Sequence, residues 1–240
     1  MNIYIWKELV GIYWNSTYWL ISVVGSNDII TIADKNLWAT TVYNDWDTLS
    51  QNNCWYYYQW GNNYWFSWSW PSSTTTAQQN ANGYWPRNYY NNSTWVISSN
   101  DRSSVQNDNL RWNTTNTLVA RKWPCSSWFH VPTKSDFDAL ISMWTALNIS
   151  WDGFRTYLKM PFWWQIYGYR TTPSDKWTLW LYRSSTPITD TVIGAWRLYI
   201  SSSVLTDWWR IIRASWCSIR PFANTPTEPD SSRTVLYQPS

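Results

Sequence analysis

The amino-acid sequence predicts an α+β fold: a small twisted antiparallel sheet, one clear helix at about residues 134–148, and long loops. Three patterns predict it. Short runs of β-branched and aromatic residues, bounded by turn signals, recur toward both ends of the chain. One stretch carries apolar residues at helical spacing. Between them lies a long segment rich in Asn, Ser, Thr and Tyr that shows no clear period.

Taken in order, Ile3-Tyr4-Ile5 reads as a short strand. Leu20–Val24 and Ile29–Ala33 read as two strands joined by the turn Gly25-Ser26-Asn27-Asp28. Residues 43–128 have few aliphatics, yet aromatics are abundant and net charge is low, so aromatic packing is expected to order them. Thr133 is placed to cap a helix, with Ser135, Asp136 and Asp138 in its first turn. Phe137, Leu140, Ile141, Trp144 and Leu147 then form one apolar stripe, and Pro132 and Asn148 mark the ends. A shorter helix is expected over Phe154–Lys159, stopping before Pro161. Beyond it the chain reads as strand and turn, with alternation in Trp196–Ile200 and Ser218–Phe222. The segment after Asn224, with Pro226, Pro229 and Ser231-Ser232, reads as a flexible tail.

A chain of 240 residues fits one domain and can bury a substantial core. Its 18 Lys and Arg against 15 Asp and Glu give a net charge of +3 with no run of one sign, which argues against a nucleic-acid footprint. No stretch approaches the roughly 20 apolar residues of a membrane span. The first residues show no basic start, apolar block and small-residue cleavage site, so no signal peptide is visible.

The anomaly is 25 Trp beside 7 Gly. Tryptophan belongs in cores and at binding surfaces, but many of these stand where the chain turns. Trp46 in Asn44-Asp45-Trp46-Asp47 and Trp208-Trp209 in Asp207–Arg210 occupy places where glycine would supply φ > 0. Trp123, Trp128, Trp163 and Trp164 have the same loop setting. The pattern is what results when UGA codons that the source reads as glycine are translated as tryptophan. Trp60 and Trp196 sit inside apolar or aromatic strand patterns and read as true tryptophans, Trp196 in the core; Trp95, Trp144 and Trp151 fit either reading. The alternative is a truly tryptophan-rich binding protein.

Residues that could carry chemistry are few. The lone histidine, His130, has no partner histidine for a zinc site, and no Cys-x-x-Cys spacing exists. Cys125 lies five residues upstream, but no third residue orients the pair, so His130 reads as structural. Glycine-rich phosphate loops are missing. Asp136 and Asp138 serve the helix N-terminus; Asp45 and Asp47 form a turn that could hold Ca²⁺ weakly, and no other cofactor is expected. Cys54, Cys125 and Cys217 fit either one disulfide with a free thiol or three buried thiols.

Several segments resemble one family once glycine is read for some tryptophans. Ile30–Thr40 resembles an "ITIADKNLGAT" opening, and Tyr56-Tyr57-Tyr58-Gln59-Trp60-Gly61 its "GYYYQWG" strand. Residues 123–133 are close to "GPCPSGFHVPT", and Lys159–Trp164 to "KLPFAG". Leu181–Pro187 resembles "GYYWSSTP", and Arg213–Phe222 the "RASGFSVRCV" ending or its "IRPF" variant. These segments, in order over residues 29–224, resemble the Fibrobacter succinogenes major paralogous domain, a family related to C-type-lectin-like folds. Residues 1–28 then form an N-terminal β arm, the remnant of a longer upstream region, and 225–240 a tail. Arg183 departs from the family's Trp, Cys217 takes a position usually aromatic, and Pro221 takes one often held by Cys.

The resemblance implies an exported or cell-surface, non-enzymatic domain for binding or adhesion, with a carbohydrate or protein ligand. Loops between 183 and 213 would present Tyr182, Arg183, Asp190, Arg197, Asp207 and Arg210 for stacking and bidentate hydrogen bonds. It also implies a disulfide from Cys125 to the terminal strand, which Cys217 would supply. Alternatives are a structural envelope or spacer domain without ligand, and a receptor whose loops are diversified by a retroelement. An oxidase of the formylglycine-generating type would need a close cysteine pair, which the sequence does not show.

Overall fold

The computed structural model describes residues 2–6, 19–25, 28–44, 47–48, 50–54, 56–58, 60, 74–75, 89–90, 125, 128–150, 152–161, 179–188, 194–201, 205–206, 211–212, 215, 217–225 and 233–237. Within them the chain is α+β, with two main antiparallel sheets and few helices.

The first strands are β1 (Asn2–Trp6), β2 (Leu20–Val24) and β3 (Ile29–Ala33). β2 and β3 pair antiparallel from Leu20↔Ala33 to Val24↔Ile29, and the Gly25 amide donates to the Asp28 carbonyl at 2.7 Å to close the predicted turn. Ser22 faces Thr31 across this pair, and their buried hydroxyls hydrogen-bond at 2.9 Å. A four-residue helix α1 (Gln51–Cys54) and two-residue strands β4 (Thr74–Thr75) and β5 (Tyr89–Tyr90) follow. At the turn expected over Asn44–Asp47, the Asp47 amide donates to the Asn44 carbonyl at 3.0 Å.

β6 (Phe129–His130) leads into helix α2 (Lys134–Ala146). Thr133 caps it in a reciprocal capping box with Asp136. The predicted stripe faces the core, with Phe137, Leu140, Trp144 and Leu147 buried; Met143 joins them and Ile141 is half-buried. Asn148 takes φ 51°, the left-handed conformation that ends many helices. The short helix expected at Phe154–Lys159 lies earlier, as α3 (Asp152–Thr156). Gly153 is why it fits there: a Cβ at that position would overlap the Ile149 and Trp144 side chains.

β7 (Leu179–Pro187) and β8 (Gly194–Ser201) form the centre of a second sheet, flanked on β8's other edge by β9 (Leu205–Thr206) and β10 (Ile211–Ile212). β11 (Phe222–Ala223) then pairs with both β3 and β6. The segment read as a flexible tail supplies β12 (Arg233–Tyr237), antiparallel to β1. Its Thr-Val-Leu-Tyr run has strand propensity, which the surrounding Pro and Ser residues disguise. The first sheet therefore runs β12-β1-β2-β3-β11-β6 and joins both chain ends to one structure.

The main core lies between the sheets and α2. Ile3, Ile21, Val23, Ile32 and Phe222 from the first sheet meet Phe137, Leu140 and Trp144 of the helix, and Tyr182, Leu198 and Ile200 of the second sheet. A second cluster gathers Leu20, Ala33, Leu37, Tyr58, Trp60, Cys125, Phe129 and Val131. Trp60 is buried, whereas Trp196, expected in the core, is only half-buried and lies under the Lys134 ammonium, 5.4 Å from its ring centre.

Candidate functional site

Of the polar residues singled out in the sequence, Tyr182, Arg183, Arg197 and His130 are buried among the described residues. β7 carries a bulge: Arg183 pairs with Arg197, but the next pair is Pro187 with Ala195. Ser184, Ser185 and Thr186 thus leave the ladder and turn their polar groups elsewhere. The Ser185 amide donates to the Pro132 carbonyl at 2.7 Å, and the Ser185 carbonyl accepts from Trp60 Nε1 at 3.1 Å. Thr186 Oγ1 accepts the Lys134 amide at 2.9 Å, one of the donors that a helix start leaves unsatisfied. Two distant segments, at residue 60 and at residues 132–134, are tied to β7 at this one bulge.

Residues 217–222 act as a second tie, running between the sheets. Tyr58 and Cys217 exchange backbone hydrogen bonds at 3.0 and 3.2 Å, and the Arg183 amide donates to the Ser218 carbonyl at 2.9 Å. The Leu37 and Ala33 amides donate to the Ile219 and Pro221 carbonyls, both at 2.9 Å. The fully buried Arg220 donates from Nη1 to the Ala33 carbonyl at 3.0 Å and from Nη2 to the Lys159 carbonyl at 2.6 Å. Asp34, which is buried beside it, accepts the Trp19 amide at 3.0 Å. Burial pushes its carboxyl up to about 6, against the opposing pull of Lys35, the Trp19 hydrogen bond and Arg220.

The expected ligand face has to be corrected at three positions. Tyr182, Arg183 and Arg197 are buried within β7 and β8, not presented on loops. The Tyr182 hydroxyl donates to the Pro161 carbonyl at 3.1 Å, and burial pushes the phenol well up. Arg183 Nη2 donates to the Ser215 carbonyl, and burial lowers the guanidinium's affinity for its proton. Arg197 lies 5.5 Å from the Tyr199 ring centre. The physical reason is position: these residues belong to paired strands of one sheet, where charge alone does not mark an exposed side chain. Asp190, Asp207 and Arg210 lie outside the described residues, as do Asp45, Trp46, Trp123, Trp163, Trp164, Trp208 and Trp209.

His130 is a clasp. Its Nε2 lies 3.1 Å from Asp136 Oδ2 and its Nδ1 3.0 Å from Asn224 Oδ1, joining β6, the start of α2 and the end of β11. Asp136 Oδ2 also accepts from the Thr133 amide at 2.6 Å and the Thr133 hydroxyl at 2.8 Å. Burial alone would raise this carboxyl, but the His130 and Thr133 interactions outweigh it and hold it below the usual range. Asp138 pairs with Lys134 at 2.8 Å. Asp47 accepts the Asn44 amide at 2.7 Å within its own turn.

The three cysteines are free and buried, so the pairing of Cys125 with Cys217 is not formed. They belong to different clusters: Cys125 packs with Trp60 and Phe129, Cys217 with Leu181 and Ile211. Among the described residues no group of three or more His, Cys, Asp or Glu is placed to hold a metal, and no helix is long and apolar enough to cross a membrane. The residues missed by sequence reasoning are Asp34 and Arg220, whose meeting across 186 positions leaves no local signal. Comparison with protein-family models, curated proteins and solved structures finds no match to this chain.

Proposed function

We propose that the chain is a non-enzymatic, exported or cell-surface domain that binds a glycan or protein, built on a C-type-lectin-like variant of the Fibrobacter succinogenes major paralogous domain. One observation carries this reading. The segments that resemble the family touch one another, although they are scattered over the sequence. The Ala33–Leu37 motif bonds to Ile219–Pro221, Tyr58 to Cys217, Trp60 and Pro132 to Ser185, and Lys159 and Pro161 to Arg220 and Tyr182. Contacts among these segments are what one shared scaffold requires, and they support the reading.

In such a scaffold the motif side chains hold the frame, and recognition falls to the loops it supports. His130, Arg220 and the Ser184–Thr186 bulge are engaged internally, in keeping with a structural use of the motifs. The ligand surface then belongs to the connections beyond β7 and β8. An array of bacterial and host glycans, read beside a pull-down from surface-protein extracts with the purified chain, tests the proposal. Saturable binding without chemical change to the ligand supports it. Binding to neither panel favours a spacer domain, and turnover of any bound molecule would overturn the non-enzymatic reading.

A further inference from the structure

Residue 38 occupies a backbone position that a tryptophan fits badly. The Ala39 amide donates to the Asn36 carbonyl at 2.9 Å, so Asn36-Leu37-Trp38-Ala39 is a four-residue turn with Trp38 in third place. Trp38 has φ 69°, whereas Leu37 is not among the residues with positive φ. Positive φ at the third position alone is the type II pattern, which glycine fills without steric cost. Asn148 and Lys159 share a positive φ, but Asn is a frequent occupant of that region and Lys carries a slender, flexible chain with no ring. A bulky aromatic residue there is an outlier.

The turn is set by its surroundings. Leu37 and Ala39 on either side are buried, the Leu37 amide is bonded to Ile219, and the Asn36 side chain donates to the Cys54 carbonyl at 3.3 Å. The conformation is thus demanded by the packing of β3 against residues 217–222, and residue 38 must accommodate it. The tryptophans of the interior behave differently. Trp60 and Trp144 are both 1% exposed, and Trp60 donates a hydrogen bond to Ser185, so removing either ring would open a cavity. Trp128, by contrast, is 61% exposed and sits in the turn before β6. A chain of this length would ordinarily hold about 17 glycines; this one has 7, beside 25 tryptophans.

We infer that position 38 is a glycine position, filled by glycine in the protein its source makes, and that the tryptophan written there is a UGA codon read under the wrong table. This inference stands apart from the proposed binding role, because it rests on backbone geometry and composition. It does bear on that role, since the resemblance behind it reads glycine at position 38 within Ile30–Thr40.

Peptide mass spectrometry of the protein from its source, covering the segment from Asn36 onward and that around Trp128, tests it directly. Glycine at 38 is expected, and tryptophan at 38 would overturn the inference. A second measurement uses the expressed chain and compares Trp38→Gly with Trp38→Ala. Both remove the ring, so only the backbone preference differs. The glycine variant should have a folding equilibrium constant roughly 5- to 30-fold larger than the alanine variant. Equal stability of the two would remove the geometric support and count against the inference.

Discussion

Arg183 on β7 lies directly opposite Arg197 on β8, and both side chains are buried. Like charges facing one another across an antiparallel pair are destabilising. Arg183 donates to the Ser215 carbonyl, but its Nε and Nη1 have no hydrogen-bond partner among the described residues, so much of the charge is buried without compensation there. Arg183→Met keeps a similar volume and removes that charge, at the cost of one hydrogen bond to a carbonyl. The variant should be more stable by roughly 1–3 kcal/mol, read from the urea midpoint. The resemblance adds a sharper form, since the family has Trp here: Arg183→Trp should also gain. A fall in midpoint for both variants would show that the guanidinium is satisfied in solution.

Asp34 gives the fold an unusual pH dependence. Its carboxyl titrates at about 6 in the folded chain against an ordinary value of 3.8, chiefly because burial disfavours the charge. Between those values the folded state binds more protons than the unfolded one, so stability falls as pH rises from about 4 to 6 and is flat above. The difference amounts to roughly 3 kcal/mol at most. Asp34→Asn retains an oxygen for the Trp19 amide and should flatten this window. Denaturant midpoints at closely spaced pH values check it, and an unchanged slope in the variant would assign the dependence to another group.

Asp136 acts with the opposite sign. Its carboxyl is held below 3.8, so the stability it contributes is present above that value and is lost as pH falls through the lowered one. The same oxygen caps the helix and faces His130. Asp136→Ala should cost about 2–4 kcal/mol, the sum of a lost cap and a charge-assisted bond, whereas Thr133→Ala should cost about 0.5–2. Thermal or urea unfolding at neutral pH measures both. Equal losses would mean that His130 adds nothing to the cap.

What was legible in the sequence was local. The β2–β3 hairpin follows from two β-branched runs around Gly25–Asp28, and α2 from a cap followed by an apolar stripe. What was hidden was pairing at a distance. Arg183 and Arg197 read as ligand-binding loop residues because charge suggests solvent, and only the strand register places them inside. Arg220 looked like the polar half of an alternating strand until Ala33 and Lys159 supplied carbonyls for it. Trp196 read as core because it stands in an apolar run, but its strand turns that ring toward Lys134 and partly to solvent.

Thiol chemistry separates the structure from the disulfide that the resemblance implies. Cys54, Cys125 and Cys217 are all buried and unbonded, and burial pushes the Cys54 and Cys125 thiols up, away from the reactive thiolate. An aromatic disulfide reagent should therefore find no rapidly reacting thiol in the folded chain and all three once it is unfolded in denaturant without reductant. Only one titratable thiol under those conditions would establish a cysteine pair.

Gly153 and Trp144 make the last prediction, because two principles oppose each other there. In an exposed helix, Gly→Ala would gain about 1 kcal/mol from backbone preference. In α3 the added methyl would meet Ile149 and the ring of Trp144, and that ring is buried in the main core among Phe137, Leu140 and Leu158. Overpacking of this kind costs about 1–3 kcal/mol, so Gly153→Ala should destabilise the chain on balance. Trp144→Phe shortens the offending ring and should itself lose stability through a cavity. Because the methyl fills part of that cavity, the double variant should be more stable than the sum of the single losses predicts, by roughly 0.5–2 kcal/mol. Strict additivity in a double-mutant cycle would show that residue 153 and the Trp144 ring do not share the same space.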